Sequence, residues 1–209
     1  MAKFRYACFI SYSHGEEELV RGFVAQFKAA LQGELEPLVD RPVYIDEQLR
    51  AGDLWERKLA TALCESVCMV VIYSPVYERR PYCGREFEAM VQLETQRRAL
   101  LPDENPPRGL IIPVVLRGFK QLPPRIQAER QALDFSHFSL ADEQMKRNPG
   151  FAPRIREVAE RIQEHFLALE SLEGQACHDC GQFNLPGEDQ VQPWRPAAGK
   201  PWPPTFPNR

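Results

Sequence analysis

The run Val67-Cys-Met-Val-Val-Ile-Tyr73 constrains this chain more than any other segment. A strand with one wet face alternates apolar and polar side chains with a period of two. This run has no polar residue, and most of its side chains are β-branched or aromatic. Both of its faces must be buried, which places it centrally in a parallel sheet covered by helices.

The rest of the chain alternates around it. Tyr6–Ser11 reads as a first buried strand. Leu19, Val20, Phe23, Val24, Phe27, Ala30 and Leu31 then recur at helical spacing, and Gly33 is the expected stop. Val43–Ile45 is a second strand, followed by a polar loop from Asp46 to Asp53 with a flexible Ala51-Gly52 step. A helix begins near Leu54 and turns Trp55, Leu59, Ala62 and Leu63 to one side. After Ser74-Pro75, Pro81 opens a helix with Phe87, Met90 and Val91 on its core face. Leu110–Leu116 is a fourth strand, where Pro113 predicts an edge position or a bulge. Ala132–Phe135 is a fifth strand, and Phe151–Leu169 a final amphipathic helix. The expectation is an α/β, flavodoxin-like three-layer sandwich: a parallel sheet of about five strands with helices on both faces. Ligands collect at the carboxyl ends of such strands, so the exits after Ser11, Ile45 and Tyr73 are where function is sought.

The domain should span residues 1–170. Residues 171–209 change in composition, and Pro186–Arg209 is rich in Pro and Trp without helical or strand period, so this tail is expected to be extended and poorly ordered. A net charge of −3 gives no general attraction to nucleic acid or anionic membranes. No apolar run reaches the roughly 18–20 residues needed to span a bilayer. The first ten residues have too short an apolar part for a secretion signal, so a cytoplasmic location is expected. Cys8, Cys64, Cys68 and Cys83 lie in apolar segments and read as reduced core thiols. Cys177-His-Asp-Cys180 has metal-like spacing, but a closed zinc site needs four ligands and no second pair follows, so no metal is expected.

Several motifs carry a family resemblance. Phe9-Ile-Ser-Tyr-Ser-His14 resembles the first box of Toll/interleukin-1 receptor (TIR) domains. Val43-Tyr-Ile-Asp46 with Leu49-Arg-Ala-Gly-Asp-Leu-Trp55 resembles their second strand, the following loop and the next helix start. Val71–Tyr77 resembles the third strand and its exit, and Tyr82-Cys-Gly-Arg-Glu86 their W-C-x-x-E, with Tyr82 where the usual residue is Trp. Each motif is weak alone, and their order on matching elements is what makes the resemblance specific.

Many TIR domains of the bacterial type cleave NAD between nicotinamide and ribose. The resemblance therefore implies NAD as a substrate rather than a cofactor, Glu86 as the catalytic residue and prokaryotic anti-phage immunity as the setting. It also implies self-association through the Asp46–Asp53 loop, with other TIR proteins as further partners. The chemistry fits a single carboxylate. Most glycosidases need a second, acidic one to protonate a poor leaving group, whereas nicotinamide is already cationic and leaves neutral. One carboxylate beside the ribose can then stabilise the oxocarbenium-like transition state.

Each residue also has a plainer reading. Glu86 is an acid in a first helical turn, favoured by the helix dipole, and Glu88, two positions on, should point elsewhere. Tyr12 and Ser13 either line the cleft or form a helix-entry turn, and His14 faces phosphate or solvent. Asp46 and Leu49 border the site or belong to a turn, and Ser74 and Tyr77 divide between ligand contact and turn chemistry. Tyr82 supplies an aromatic surface, Trp55 is expected in the core, and Cys83 is expected as a buried thiol. Two other classes stand beside the NAD-cleaving reading: a non-catalytic TIR scaffold, and a nucleoside-processing enzyme such as a deoxyribosyltransferase.

Overall fold

The computed structural model describes residues 4–14, 18–46, 53–101, 109–176 and 179–196. Its centre is a sheet of five parallel strands in the order β2-β1-β3-β4-β5. The strands are β1 (Tyr6–Tyr12), β2 (Val43–Ile45), β3 (Ser66–Tyr73), β4 (Ile111–Val115) and β5 (Leu133–Asp134). All eight residues of β3 are buried, and it lies between β1 and β4, as its unbroken apolar run requires.

Helices α1 (Glu18–Leu35) and α5 (Phe151–Leu169) pack together, as do α2 (Asp53–Cys64) and α3 (Pro81–Arg98). A short α4 (Pro124–Gln127) precedes β5. From β1 the chain moves outward to β2, then returns past β1 to β3. The connections leaving β1 and β3 thus diverge, opening a crevice at the carboxyl ends of these two strands.

Two local expectations change. Helix α1 passes through Gly33 and ends at Leu35, which is fully buried. Burying a leucine gains about 1.5–3 kcal/mol, more than the roughly 1 kcal/mol a helical glycine costs. Pro113 lies neither on an edge strand nor in a bulge, because β4 is flanked by β3 and β5. It is tolerated because β5 pairs only with Val114 and Val115. The Leu116 N–H reaches Tyr73 on β3, so the Pro113 nitrogen, three positions earlier in the alternation, faces the other side, where β5 has not begun.

The cysteines and the tail bring larger corrections. Cys8, Cys68 and Cys83 are free and buried, but Cys64 forms a disulfide with Cys180 across 116 residues of sequence. Residues 179–196 are not a loose extension: Cys180, Leu185 and Trp194 are buried against the domain. We call this segment the strap. Two of its carbonyls accept from the domain, Pro186 from Arg85 Nε at 2.7 Å and Gln192 from Arg125 at 3.1 Å. The composition of the strap concealed this, because its apolar anchors are few and follow no helical or strand period.

Candidate functional site

Glu86 sits in the second turn of α3, where the helix packs against β1. Only 6% of the residue is exposed. Ser11, near the end of β1, turns its hydroxyl to the carboxyl group and donates a hydrogen bond to Glu86 Oε2. The same Ser11 Oγ lies 2.7 Å from the hydroxyl of Tyr77, itself fully buried in the turn before α3. The Tyr77 hydroxyl is 3.3 Å from the Cys83 carbonyl. Among the described residues no lysine, arginine or histidine forms an ion pair with Glu86. Burial, opposed by the Ser11 hydrogen bond and reinforced by the charge of Asp46, pushes the Glu86 carboxyl up to about 8.

The other expected residues divide. Tyr12 is buried one position beyond Ser11, its ring 4.1 Å from that of His14 and its carbonyl accepting from the Cys83 thiol at 3.5 Å. Burial holds the His14 imidazole below its usual range, which favours the neutral form and weakens it as a phosphate anchor. Ser13 is half-buried at the strand exit. Asp46 leaves β2 and accepts from Trp55 Nε1 at 2.7 Å, so Trp55 is half-buried packing that also fixes this carboxylate. Ser74 supplies a turn acceptor, its carbonyl taking the Tyr77 N–H at 2.9 Å. Leu49 lies outside the described residues.

Tyr82 makes no hydrogen bond to the Glu86 carboxyl group; its hydroxyl turns to Glu56 at 3.2 Å. It is 40% exposed at the rim, edge-on to Trp55 with ring centres 5.0 Å apart. The Arg85 guanidinium stands over its ring, 5.3 Å from the centroid. Cys83 is a buried structural thiol whose pKa burial raises, which keeps it from being a nucleophile. Glu88 does point elsewhere: it pairs with Arg125 at 2.8 Å. Cys180 is consumed by its disulfide and offers no thiolate to a metal.

The charge of Asp46 bears on Glu86, and Tyr12 follows Ser11 on β1; Ser11, which bonds Glu86 directly, was not among the expected site residues. The available signal was a single small hydroxyl near the end of an otherwise apolar and aromatic strand. A separate cleft of about 670 Å³ at the opposite end of the sheet is lined by Arg98, Arg130, Arg161, Glu157, Glu164 and His165. Its principal charges already neutralise one another, Arg130 pairing with Glu94 at 2.8 Å and Arg161 with Glu157 at 2.9 Å.

Residues 8–147 match the family model described as TIR domain. Among solved structures, the chain is similar to the TIR domains of the "Structure of the activated Roq1 resistosome directly recognizing the pathogen effector XopQ". The identity is 17% and the TM-score 0.39, over 84% of this chain and 94% of that one. No curated protein matches the chain.

Proposed function

This chain belongs to the TIR domain family, and on that premise we propose that it is an NAD glycohydrolase with Glu86 as its catalytic residue. Its products are nicotinamide and either ADP-ribose or a cyclic ADP-ribose isomer. The observation that carries the reading is a buried carboxyl group, without a cationic partner among the described residues, at the carboxyl end of β1. Leaving such a group unpaired costs stability, and a substrate that is itself a cation supplies the missing charge. Nicotinamide in NAD is that cation. As it leaves neutral, positive charge moves to the ribose, where a fixed carboxylate stabilises it without solvent reorganisation.

In the free protein the Glu86 carboxyl, raised to about 8, is largely protonated at neutral pH. An approaching pyridinium favours the ionised form. In this reading Tyr12, Ser13, Asp46 and Ser74 line the path of the substrate, and the Tyr82 ring offers a stacking surface at its mouth. By the family resemblance Leu49 is a further proposed substrate contact and the Asp46–Asp53 loop the proposed means of self-association, which restrains a reaction that would drain cellular NAD. Such restraint suits an effector of prokaryotic anti-phage defence.

The test is NAD turnover by purified protein at high concentration, with Glu86→Gln beside the wild type. We expect the variant to lose at least about a hundredfold in kcat/KM. Wild-type kcat/KM should rise with pH and level off above about 8, because the free enzyme must ionise Glu86 first. Equal NAD loss in the two proteins removes Glu86 from the mechanism. One observation favours a second reading, a non-catalytic scaffold: Glu86 is covered and already hydrogen-bonded by Ser11. That reading gains if neither protein turns over NAD, while partner binding survives Glu86→Gln and fails on Gly52→Pro.

A further inference from the structure

The strap lies beyond the matched family segment, residues 8–147, yet it reaches the residues that hold Glu86. Trp194 is 8% exposed and meets two rings edge-on: Phe87 with centres 4.8 Å apart and Tyr77 with centres 5.7 Å apart. Behind it the Arg125 guanidinium stands 5.4 Å from the Trp194 ring and 4.8 Å from that of Phe87, locked by its 2.8 Å pair with Glu88. Gly84 lets the strap come this close, since a Cβ there would meet Val191 Cγ1 at 3.0 Å. Arg195 ties the far end to Glu78 at 2.8 Å, and the Cys64–Cys180 disulfide ties the near end. We propose that the strap is a working part of the Glu86 site: Trp194 holds Tyr77, and Tyr77, through Ser11, fixes the orientation and hydrogen bonding of the Glu86 carboxyl group.

The hydroxyl geometry gives Tyr77 a specific task. When Glu86 is ionised it has no proton to give, so Ser11 donates to Glu86 and Tyr77 donates to Ser11. When Glu86 is protonated the order reverses: Glu86 donates to Ser11, Ser11 to Tyr77, and Tyr77 to the Cys83 carbonyl at 3.3 Å. Every hydroxyl proton has an acceptor in both states. The relay works only if the Tyr77 oxygen stays between Ser11 and Cys83, and the Trp194 ring packs against the ring that carries it.

Other groups bear on Glu86 from the neighbouring elements. Asp46 and Tyr44 act from the β2 side and Cys83 from its own helix, while Arg125 acts on Tyr77. Among the described strap residues none hydrogen-bonds to the Glu86 carboxyl group, so the influence of the strap passes through Tyr77. Tyr77 and Trp194 are therefore positioning residues. The inference takes Glu86 as the working carboxylate of the reaction proposed above, but its first test does not need that reaction.

The experiment follows the Glu86 carboxyl carbon by NMR in protein labelled with carbon-13 glutamate, its signal assigned by its loss in Glu86→Gln. Tyr77→Phe should raise the titration midpoint by about one unit, because the charge-assisted chain of the ionised state loses more than the neutral chain does. Trp194→Leu should raise it less, Trp194→Phe should restore it, and adding Trp194→Leu to Tyr77→Phe should change nothing more. Gly84→Ala, which presses the strap outward while favouring the helix, gives a smaller rise and serves if Trp194→Leu does not fold. A wild-type midpoint in both strap variants overturns the proposal, as does an equal shift in the Tyr77→Phe background. The pH profile of NAD turnover is measured in parallel. Midpoints that move without any turnover leave the strap inference standing and remove the glycohydrolase reading. Turnover with unmoved midpoints does the reverse.

Discussion

Helix α3 carries three buried carboxylates, and two of them are treated differently from the third. Glu88 meets Arg125 at 2.8 Å and Glu94 meets Arg130 at 2.8 Å, each pair almost fully excluded from water. Glu94 also accepts the Leu110 N–H at 3.0 Å, which joins α3 to the entry of β4. Glu86 is buried to the same degree as Glu88, yet it is hydrogen-bonded by the neutral Ser11 hydroxyl and feels the like charge of Asp46. A buried acid is ordinarily paired or neutralised. Glu88 and Glu94 take the first route and hold the fold together. Glu86 takes the second: burial raises its carboxyl to about 8, which favours the neutral acid.

The comparison breaks if removing an arginine from a paired carboxylate does little. Arg125→Met keeps the length of the side chain but leaves Glu88 charged and unpaired inside the protein. We expect a loss of about 3–5 kcal/mol in urea unfolding, with most of it recovered by adding Glu88→Leu. A loss below about 1 kcal/mol would mean that Glu88 is already neutral or hydrated, and the contrast with Glu86 would fall.

Glu86→Gln should act in the opposite direction. In the wild type the folded carboxyl keeps its proton up to about 8 while the unfolded one releases it near 4.5. The folded state then binds more protons across that window, so wild-type stability falls as pH rises from about 4.5 to about 8 and is flat beyond. The fall is on the order of 5 kcal/mol. Glutamine has no such dependence, so the variant should gain on the wild type through the window and unfold at higher urea by pH 8.5. A constant difference from pH 5 to pH 8.5 would show that Glu86 is not held neutral.

The difference among these acids could not be read from the sequence. Glu86, Glu88 and Glu94 lie on one helix, and spacing separates only their faces. Arg125 and Arg130 arrive from beyond β4, and no local pattern links residues 37 and 36 positions apart. The fold was far more legible, because burial on both faces of Val67–Tyr73 and the helical period of Phe151–Leu169 are local properties. Pro113 misled for the same reason: its tolerance depends on where β5 begins. The strap was missed because Trp194, Leu185 and Cys180 act singly, each anchored by a contact set in the tertiary structure.

The smallest expected effect tests whether burial, rather than ion pairing itself, separates the two kinds of acid. Glu157 on α5 meets Arg154 and Arg161, both at 2.9 Å, which matches the distances at Glu88 and Glu94. Its side chain is 36% exposed, so water solvates the charge in the folded and unfolded states alike. Glu157→Gln should therefore cost no more than about 0.5 kcal/mol, less at high salt. Neither arginine would be left stranded, because Arg161 keeps the Gln131 carbonyl at 2.9 Å and the Arg154 side chain is 41% exposed. If urea unfolding instead showed a loss as large as that of Arg125→Met, distance alone would set the worth of these pairs. Glu86 would then differ from its neighbours only in lacking an arginine, not in being kept neutral by burial.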